Sequence, residues 1–251
     1  MTDKPGRVAL VTGASRNIGR SISQALAAEG CAVVCLGRDR AALDETAALI
    51  TSAGGKASVF VVDAASNADL KAAVAHAATT FGGLDVVVNN AGMLRNGRAE
   101  KITPEEFAAD LQVNLVAQYA LAHYAHPELK KRGGGVIINI GSIAGQMAFP
   151  TCPSYVTSKA GIEGLTRALG QDWARDNVRV VCVAPGYVES EISRDVLADA
   201  ATADMIKKRI PMRRVAKPEE IGAFVAFFAS DAAAFCTGEV YHIDGGQRMA
   251  Y

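Results

Sequence analysis

Short β-branched apolar runs punctuate the chain at 8–11, 32–36, 59–62, 86–88, 136–140, 178–183 and 240–243. Each run is apolar at successive positions instead of alternating with polar residues, the pattern of strands covered on both faces. Between them lie Ala- and Leu-rich segments of helical period, at 19–29, 41–52, 68–80 and 104–132. Strand–helix alternation of this kind predicts a parallel sheet with right-handed crossovers, so the expected fold is α/β, a doubly wound sheet in three layers. No internal repeat or low-complexity linker divides the 251 residues, and one domain over 1–251 is expected. The rhythm breaks at 190–214, a polar segment running up to Pro211 and Pro218. It reads either as a lid over an active site or as an ordinary pair of surface helices.

Charge narrows the partners. Acidic and basic residues balance at 26 each, so no global field favours nucleic acid, anionic lipid or a highly charged partner, and a small neutral substrate fits. Five cysteines, an odd number set mostly in apolar runs, suggest buried thiols in a reducing compartment. Cys31 and Cys35 point to one face of a strand but have no companion Cys/His cluster, so no metal site is expected. The four histidines, His76, His123, His126 and His242, are scattered and read as surface or interface residues. No apolar stretch reaches the roughly 18 residues that span a bilayer, so a cytoplasmic protein without membrane contact is expected.

The first strand leads through Thr12-Gly13-Ala14-Ser15-Arg16-Asn17-Ile18-Gly19 into a helix. Backbone N–H groups at such a helix start can receive a pyrophosphate, and Gly13 and Gly19 permit close approach, although the spacing is not G-x-G-x-x-G. This turn resembles the T-G-x-x-x-G-I-G turn of the short-chain dehydrogenase/reductase family. Asn89-Asn90-Ala91-Gly92 is similar to that family's N-N-A-G segment, Tyr155-Val156-Thr157-Ser158-Lys159 to its Y-x-x-x-K, and Pro185-Gly186 to its post-strand P-G. The four motifs stand in family order and span nearly the whole chain, and the general look is closest to 3-oxoacyl-acyl-carrier-protein reductases. Two positions depart from the pattern. Asn17 replaces the middle glycine, and asparagine is the residue other than glycine that best tolerates a left-handed backbone. The Thr that often follows P-G is represented by Ser190 or is absent.

Tyr155 and Lys159 are one helical turn apart and project from one face. A neighbouring ammonium favours phenolate, so Lys159 is expected to lower the Tyr155 pKa and make it the proton carrier between a secondary alcohol and a ketone. The resemblance implies a Rossmann-type sheet and further roles: Ser142 hydrogen-bonding the substrate oxygen, Lys159 gripping the nicotinamide ribose, and Asn114 orienting a water toward Lys159. Ser142 follows a strand, where a serine is commonly a turn former, and Asn114 is a polar residue in an apolar helical stretch that must find a partner. The implied cofactor set is Gly13, Ser15, Arg16, Asn17, Ile18, Gly19, Arg38, Asp63, Ala64, Asn90, Ala91, Gly92, Tyr155, Lys159, Pro185, Gly186 and Val188. Asp63 either accepts from the adenine amino group or caps the next turn.

Cofactor preference turns on the end of the second strand, where an acid about 20 residues past the glycine turn selects NAD and a nearby Arg takes the 2′-phosphate of NADP. Gly37 occupies the acidic position and Arg38 follows, with Arg16 as a second cation, so NADP(H) is favoured over NAD(H). Asp39 is either the ribose acid or the N-cap of the next helix. The family suggests a homotetramer, with Leu121, Leu165 and Trp173 as apolar residues beyond what a sheet-facing stripe requires. The basic run Lys130-Lys131-Arg132 could face an acyl carrier protein or simply end a helix, and nothing else supports that partner. Rival readings are an NAD-dependent alcohol, sugar or polyol dehydrogenase, a non-catalytic dinucleotide-binding regulator, and a structural oligomer component.

Overall fold

Every apolar run becomes a strand in the computed structural model of the chain, which describes residues 6–249. The order is β1 (Val8–Thr12), α1 (Asn17–Ala28), β2 (Ala32–Gly37), α2 (Arg40–Ser52), β3 (Lys56–Val61), α3 (Asn67–Phe81), β4 (Val86–Asn89), α4 (Pro104–Leu111), α5 (Ala117–Lys131), β5 (Gly135–Ile140), α6 (Pro153–Trp173), β6 (Val178–Pro185), α7 (Glu191–Ala198), α8 (Ala200–Arg209), α9 (Pro218–Ala229) and β7 (Val240–Ile243). The strands form one parallel sheet in the order β3-β2-β1-β4-β5-β6-β7. Strand order reverses between β1 and β4, which opens a crevice at their carboxyl ends, the usual ligand side of a doubly wound sheet.

The pleat sorts alternate side chains onto two cores. Ala9 and Val11 of β1 pack with Ile22 and Leu26 of α1 and with Ile221, Val225 and Phe228 of α9. Val8 and Leu10 of the same strand pack with Leu70 and Val74 of α3, Leu121 and Leu129 of α5, and Leu169 of α6. Each such aliphatic side chain contributes roughly 1.5–3 kcal/mol when fully buried, and the sum gives a sheet rigid enough to fix its carboxyl edge.

Four expectations are modified. The outer strands β3 and β7 are only half-buried, because each has a neighbouring strand on one side only. The segment expected as one helix over 104–132 is broken by a π-helical turn at Gln112–Val116. Leu121, Leu165 and Trp173 pack against a core of the same chain and do not form a spare apolar face. His126 is more than a surface residue: it stacks on Trp173 at 4.6 Å, and its Nε2 lies 2.9 Å from the Asp176 carboxylate.

All five cysteines are free thiols, and Cys31 and Cys35 enter the same core. Among the described residues no group of three His, Cys, Asp or Glu side chains could hold a metal ion, and no helix is long and apolar enough to cross a membrane. The segment 190–214 folds into α7 and α8, whose own small core is Ile206, Ile210 and Val215 with Tyr187 and Leu197.

Candidate active site

At the end of β1, Thr12 uses its hydroxyl completely. Oγ1 donates to the Val88 carbonyl at 3.2 Å and accepts the N–H groups of Asn90 and Ala91 at 2.9 Å each. Asn90 Nδ2 returns a bond to the Thr12 carbonyl at 2.9 Å, so the glycine turn and the Asn89–Gly92 segment lock each other. Gly13 has φ +64°, and a Cβ on Gly19 would stand 2.0 Å from the Gly13 oxygen, so neither position admits a side chain. Asn17 adopts φ 47°, the left-handed conformation anticipated for it. Beneath the turn, Thr46 Oγ1 donates to the Ala14 carbonyl at 2.9 Å, and Arg20 Nη2 donates to the Ser15 carbonyl at 2.7 Å.

A dinucleotide fits this edge by an observation independent of resemblance. Helix α1 begins without a side-chain cap and without an acidic residue in its first turn, so its leading N–H groups and positive dipole end are left for an anion. Ile18 packs down onto the core and fixes the turn. Arg16, expected as a free cation, instead forms a bidentate pair with Glu191, Nε to Oε2 at 3.0 Å and Nη1 to Oε1 at 3.2 Å.

Beyond β2, Arg38 is exposed, whereas Asp39 is occupied as the N-cap of α2, accepting from the Ala42 N–H at 3.2 Å. The Asp63 carboxylate accepts from the Ala65 N–H at 3.0 Å, the turn-capping role, beside a half-buried Ala64. On the opposite flank, β6 ends at Pro185, and a Cβ on Gly186 would meet the Asp244 Cα at 2.9 Å. Val188 is buried and pairs with Ala216 across an isolated bridge. Ser190 opens α7, giving its N–H to Ser193 Oγ at 3.1 Å.

Helix α6 presents Tyr155 and Lys159 toward the end of β5. Lys159 Nζ donates to the Ile140 carbonyl at 2.7 Å and stands 5.5 Å from the centre of the Tyr155 ring. Its burial disfavours the ammonium and brings its pKa down to about 8. Burial of the Tyr155 hydroxyl raises that pKa, and a hydrogen bond from Ser142 pulls it partly back. For Tyr155 desolvation decides the sign, while the Lys159 ammonium is held against the Ile140 carbonyl. Ser142 Oγ also accepts from the Ala144 N–H at 3.1 Å, which leaves its proton for another partner.

The structure places Asn114 in the π turn, with Oδ1 accepting from the Met93 N–H at 2.8 Å and Nδ2 donating to the Met93 carbonyl at 2.9 Å. A Cβ on Gly92 would lie 3.4 Å from Asn114 Oδ1 and 3.9 Å from Lys159 Nζ, so the gap between them exists because residue 92 is glycine. Ser142, Tyr155 and Lys159 therefore converge directly, while Asn114 faces Lys159 across that gap.

Several contributors escaped the sequence reading. Cys152, which is close enough to act electrostatically on both Tyr155 and Tyr187, joins Phe149 and Tyr187 in one cluster. Cys152 Sγ lies 3.7 Å from the Phe149 carbonyl, and the Phe149 and Tyr187 rings meet edge-on at 6.4 Å. Asn89 Nδ2 donates to Asn139 Oδ1 at 2.9 Å, and Asn139 Nδ2 to Thr166 Oγ1 at 3.0 Å, a buried ladder tying β4, β5 and α6. Asparagines inside otherwise apolar strands were the signal for that ladder, while the Cys152 cluster left none, since it joins loops far apart in sequence.

The chain matches the protein-family model described as enoyl-(acyl carrier protein) reductase over residues 13–248. It is 37% identical to a cyclohexanol dehydrogenase of Acinetobacter over 240 residues, 95% of this chain and 94% of that one. It is 32% identical to a 3-oxoacyl-(acyl-carrier-protein) reductase of Thermotoga maritima over 241 residues, 96% of this chain and 97% of the other. Among solved structures, a gluconate 5-dehydrogenase of Burkholderia cenocepacia in complex with NADP and tartrate superimposes with a TM-score of 0.93 at 34% identity, covering 98% of this chain and 96% of that one.

Proposed function

Because the chain belongs to the short-chain dehydrogenase/reductase family, oxidoreductases acting on CH–OH donors with NAD(P), we propose that it reduces a small neutral ketone with NADPH, Tyr155 supplying the proton. The observation that carries this reading is the convergence of Ser142, Tyr155 and Lys159 at the end of β5. When bound, the reduced nicotinamide supplies the hydride. The residues do the rest. The Ser142 and Tyr155 hydroxyls both donate to the substrate oxygen and stabilise the charge that develops there. With its pKa raised by burial, Tyr155 holds its proton at neutral pH and can give it to the nascent alkoxide. Lys159, largely cationic at neutral pH and 5.5 Å from the Tyr155 ring, favours negative charge at this edge and offers donors for a ribose hydroxyl. Asn114 fixes the Met93 segment that borders the same space.

Preference for the phosphorylated cofactor is supported by the second strand. No carboxylate ends β2, Asp39 is committed to capping α2, and Arg38 stands exposed at the place a 2′-phosphate would reach. The cluster of Cys152, Phe149 and Tyr187 beside Tyr155 carries no formal charge, which supports an uncharged carbonyl compound as substrate. The segment 190–214, as α7 and α8, acts as the lid, and the assembly is a homotetramer. Steady-state kinetics on a panel of neutral ketones tests the reading. NADPH should exceed NADH in kcat/KM, and Arg38→Ala should lose efficiency with NADPH by about tenfold or more while leaving NADH unchanged, as expected for one charge-assisted contact of roughly 1.5–3 kcal/mol. Equal use of both cofactors by the wild type would overturn the NADPH assignment.

A further inference from the structure

Arg16 and Glu191 leave the sheet three strands apart. Arg16 follows β1 and Glu191 follows β6, and β4 and β5 lie between them, so at the usual strand spacing their backbones start about 14 Å apart. Their side chains nevertheless close to a bidentate pair, 3.0 Å and 3.2 Å, between residues 175 positions apart in sequence. Other surface ion pairs include local helix pairs, such as Arg40 with Asp44 and Lys208 with Asp204. This one crosses the crevice.

We propose that Glu191 is a positioning residue whose carboxylate holds Arg16 as a clasp between the glycine turn and the lid, closing over the diphosphate stretch of the cofactor groove. The proposal rests on the dinucleotide reading above. Three observations converge on it. Arg16 is itself the N-cap residue of α1, the helix whose start has no side-chain cap, and its guanidinium reaches from there to Glu191. Glu191 is the first residue of α7, so its carboxylate moves with the lid, which packs on a small core of its own. Arg194 Nη2 lies 3.7 Å from Glu191 Oε1, so the carboxylate sits between one cation of its own helix and one from the glycine turn.

The consequence concerns the cofactor. With its guanidinium committed to Glu191, Arg16 serves the diphosphate side, common to NADP and NAD, and leaves the 2′-phosphate to Arg38. Both members are substantially exposed, Arg16 at 57% and Glu191 at 39%, so the clasp is salt-sensitive and modest in strength. Its effect should be on how fast the lid opens and the dinucleotide leaves, by about two- to fivefold.

The experiment has two arms. In the first, backbone hydrogen exchange across residues 191–209 is followed without cofactor in the wild type, Glu191→Gln, Arg16→Gln and the double variant. Each single variant should speed exchange by a similar factor and the double should add nothing further, because one interaction has been removed twice. Unchanged exchange in Glu191→Gln, or additive effects of the two substitutions, would overturn the clasp. In the second arm, dissociation of NADPH and NADH is timed by stopped-flow fluorescence. Glu191→Gln should speed both releases about equally, with the difference from wild type vanishing in high salt. Acceleration of NADPH alone would place Arg16 at the 2′-phosphate and refute the proposal. If neither dinucleotide binds, the cofactor reading itself has failed, and the exchange arm still decides whether Glu191 and Arg16 fasten the lid.

Discussion

At the residue scale, Tyr155 and Lys159 were legible from their spacing together with the other family motifs, but the burial that sets their pKa values was not. Four residues of separation put them on one helical face, and the structure keeps that relation. Which force sets the Tyr155 pKa depends on how deeply its hydroxyl is desolvated and on where the ammonium is tethered, neither of which the spacing encodes. The capping of Asp39 and the left-handed Asn17 were readable because they are backbone-local, whereas the Arg16–Glu191 pair was not, since it joins β1 to α7 across the sheet. The Lys159 environment gives a prediction with a definite sign. Its folded pKa near 8 lies below the ordinary 10.5, so between those values the unfolded chain binds the extra proton and the stability contributed by this group rises with pH. Below about pH 8 the buried ammonium is a cost that Lys159→Met removes. Thermal melts should therefore show the variant at its best relative to wild type near pH 7, with wild type gaining on it toward pH 10. A stability difference that is flat over this range would mean that Lys159 is not desolvated as described.

At the element scale, the seven strands were readable because each is a continuous apolar run, and the helices because their period is 3.6. What the pattern could not give was the π turn at Gln112–Val116, since one residue of slippage leaves the apolar spacing nearly intact while turning Asn114 toward Met93. Nor could it give the brace beneath the glycine turn, because Thr46 lies on α2 and Ala14 after β1. Thr46 is fully buried, donates to the Ala14 carbonyl at 2.9 Å and accepts from Arg20 Nε at 3.0 Å. Thr46→Val keeps the shape and removes the hydroxyl, leaving a buried carbonyl without that donor, at a cost of about 1–3 kcal/mol. The expected outcome is a Tm lower by several degrees together with weaker binding of both NADPH and NADH, read by melting and fluorescence titration. Full retention of both would show that the turn does not depend on α2.

At the scale of the whole molecule, the parallel order β3-β2-β1-β4-β5-β6-β7 brings residues from 12 to 191 to one edge, and this is why motifs scattered over most of the chain lie together there. Of the residues first offered for the tetramer, Leu121 is buried and Leu165 and Trp173 are half-buried against the same core. Exposed Tyr119 on α5, Phe227 on α9, and Phe235 are the residues on which we now base it. Light scattering at micromolar concentration should return the mass of four chains, and a monomer mass would remove the proposal. The central claim is that this edge reduces a ketone with NADPH by way of the Tyr155 proton. Its most direct test is turnover of the same ketone by purified wild type and Tyr155→Phe, each first checked for unchanged fold and cofactor binding. In the variant kcat should fall by roughly a hundredfold to ten-thousandfold while the dinucleotide still binds. Near-native turnover by Tyr155→Phe would contradict it.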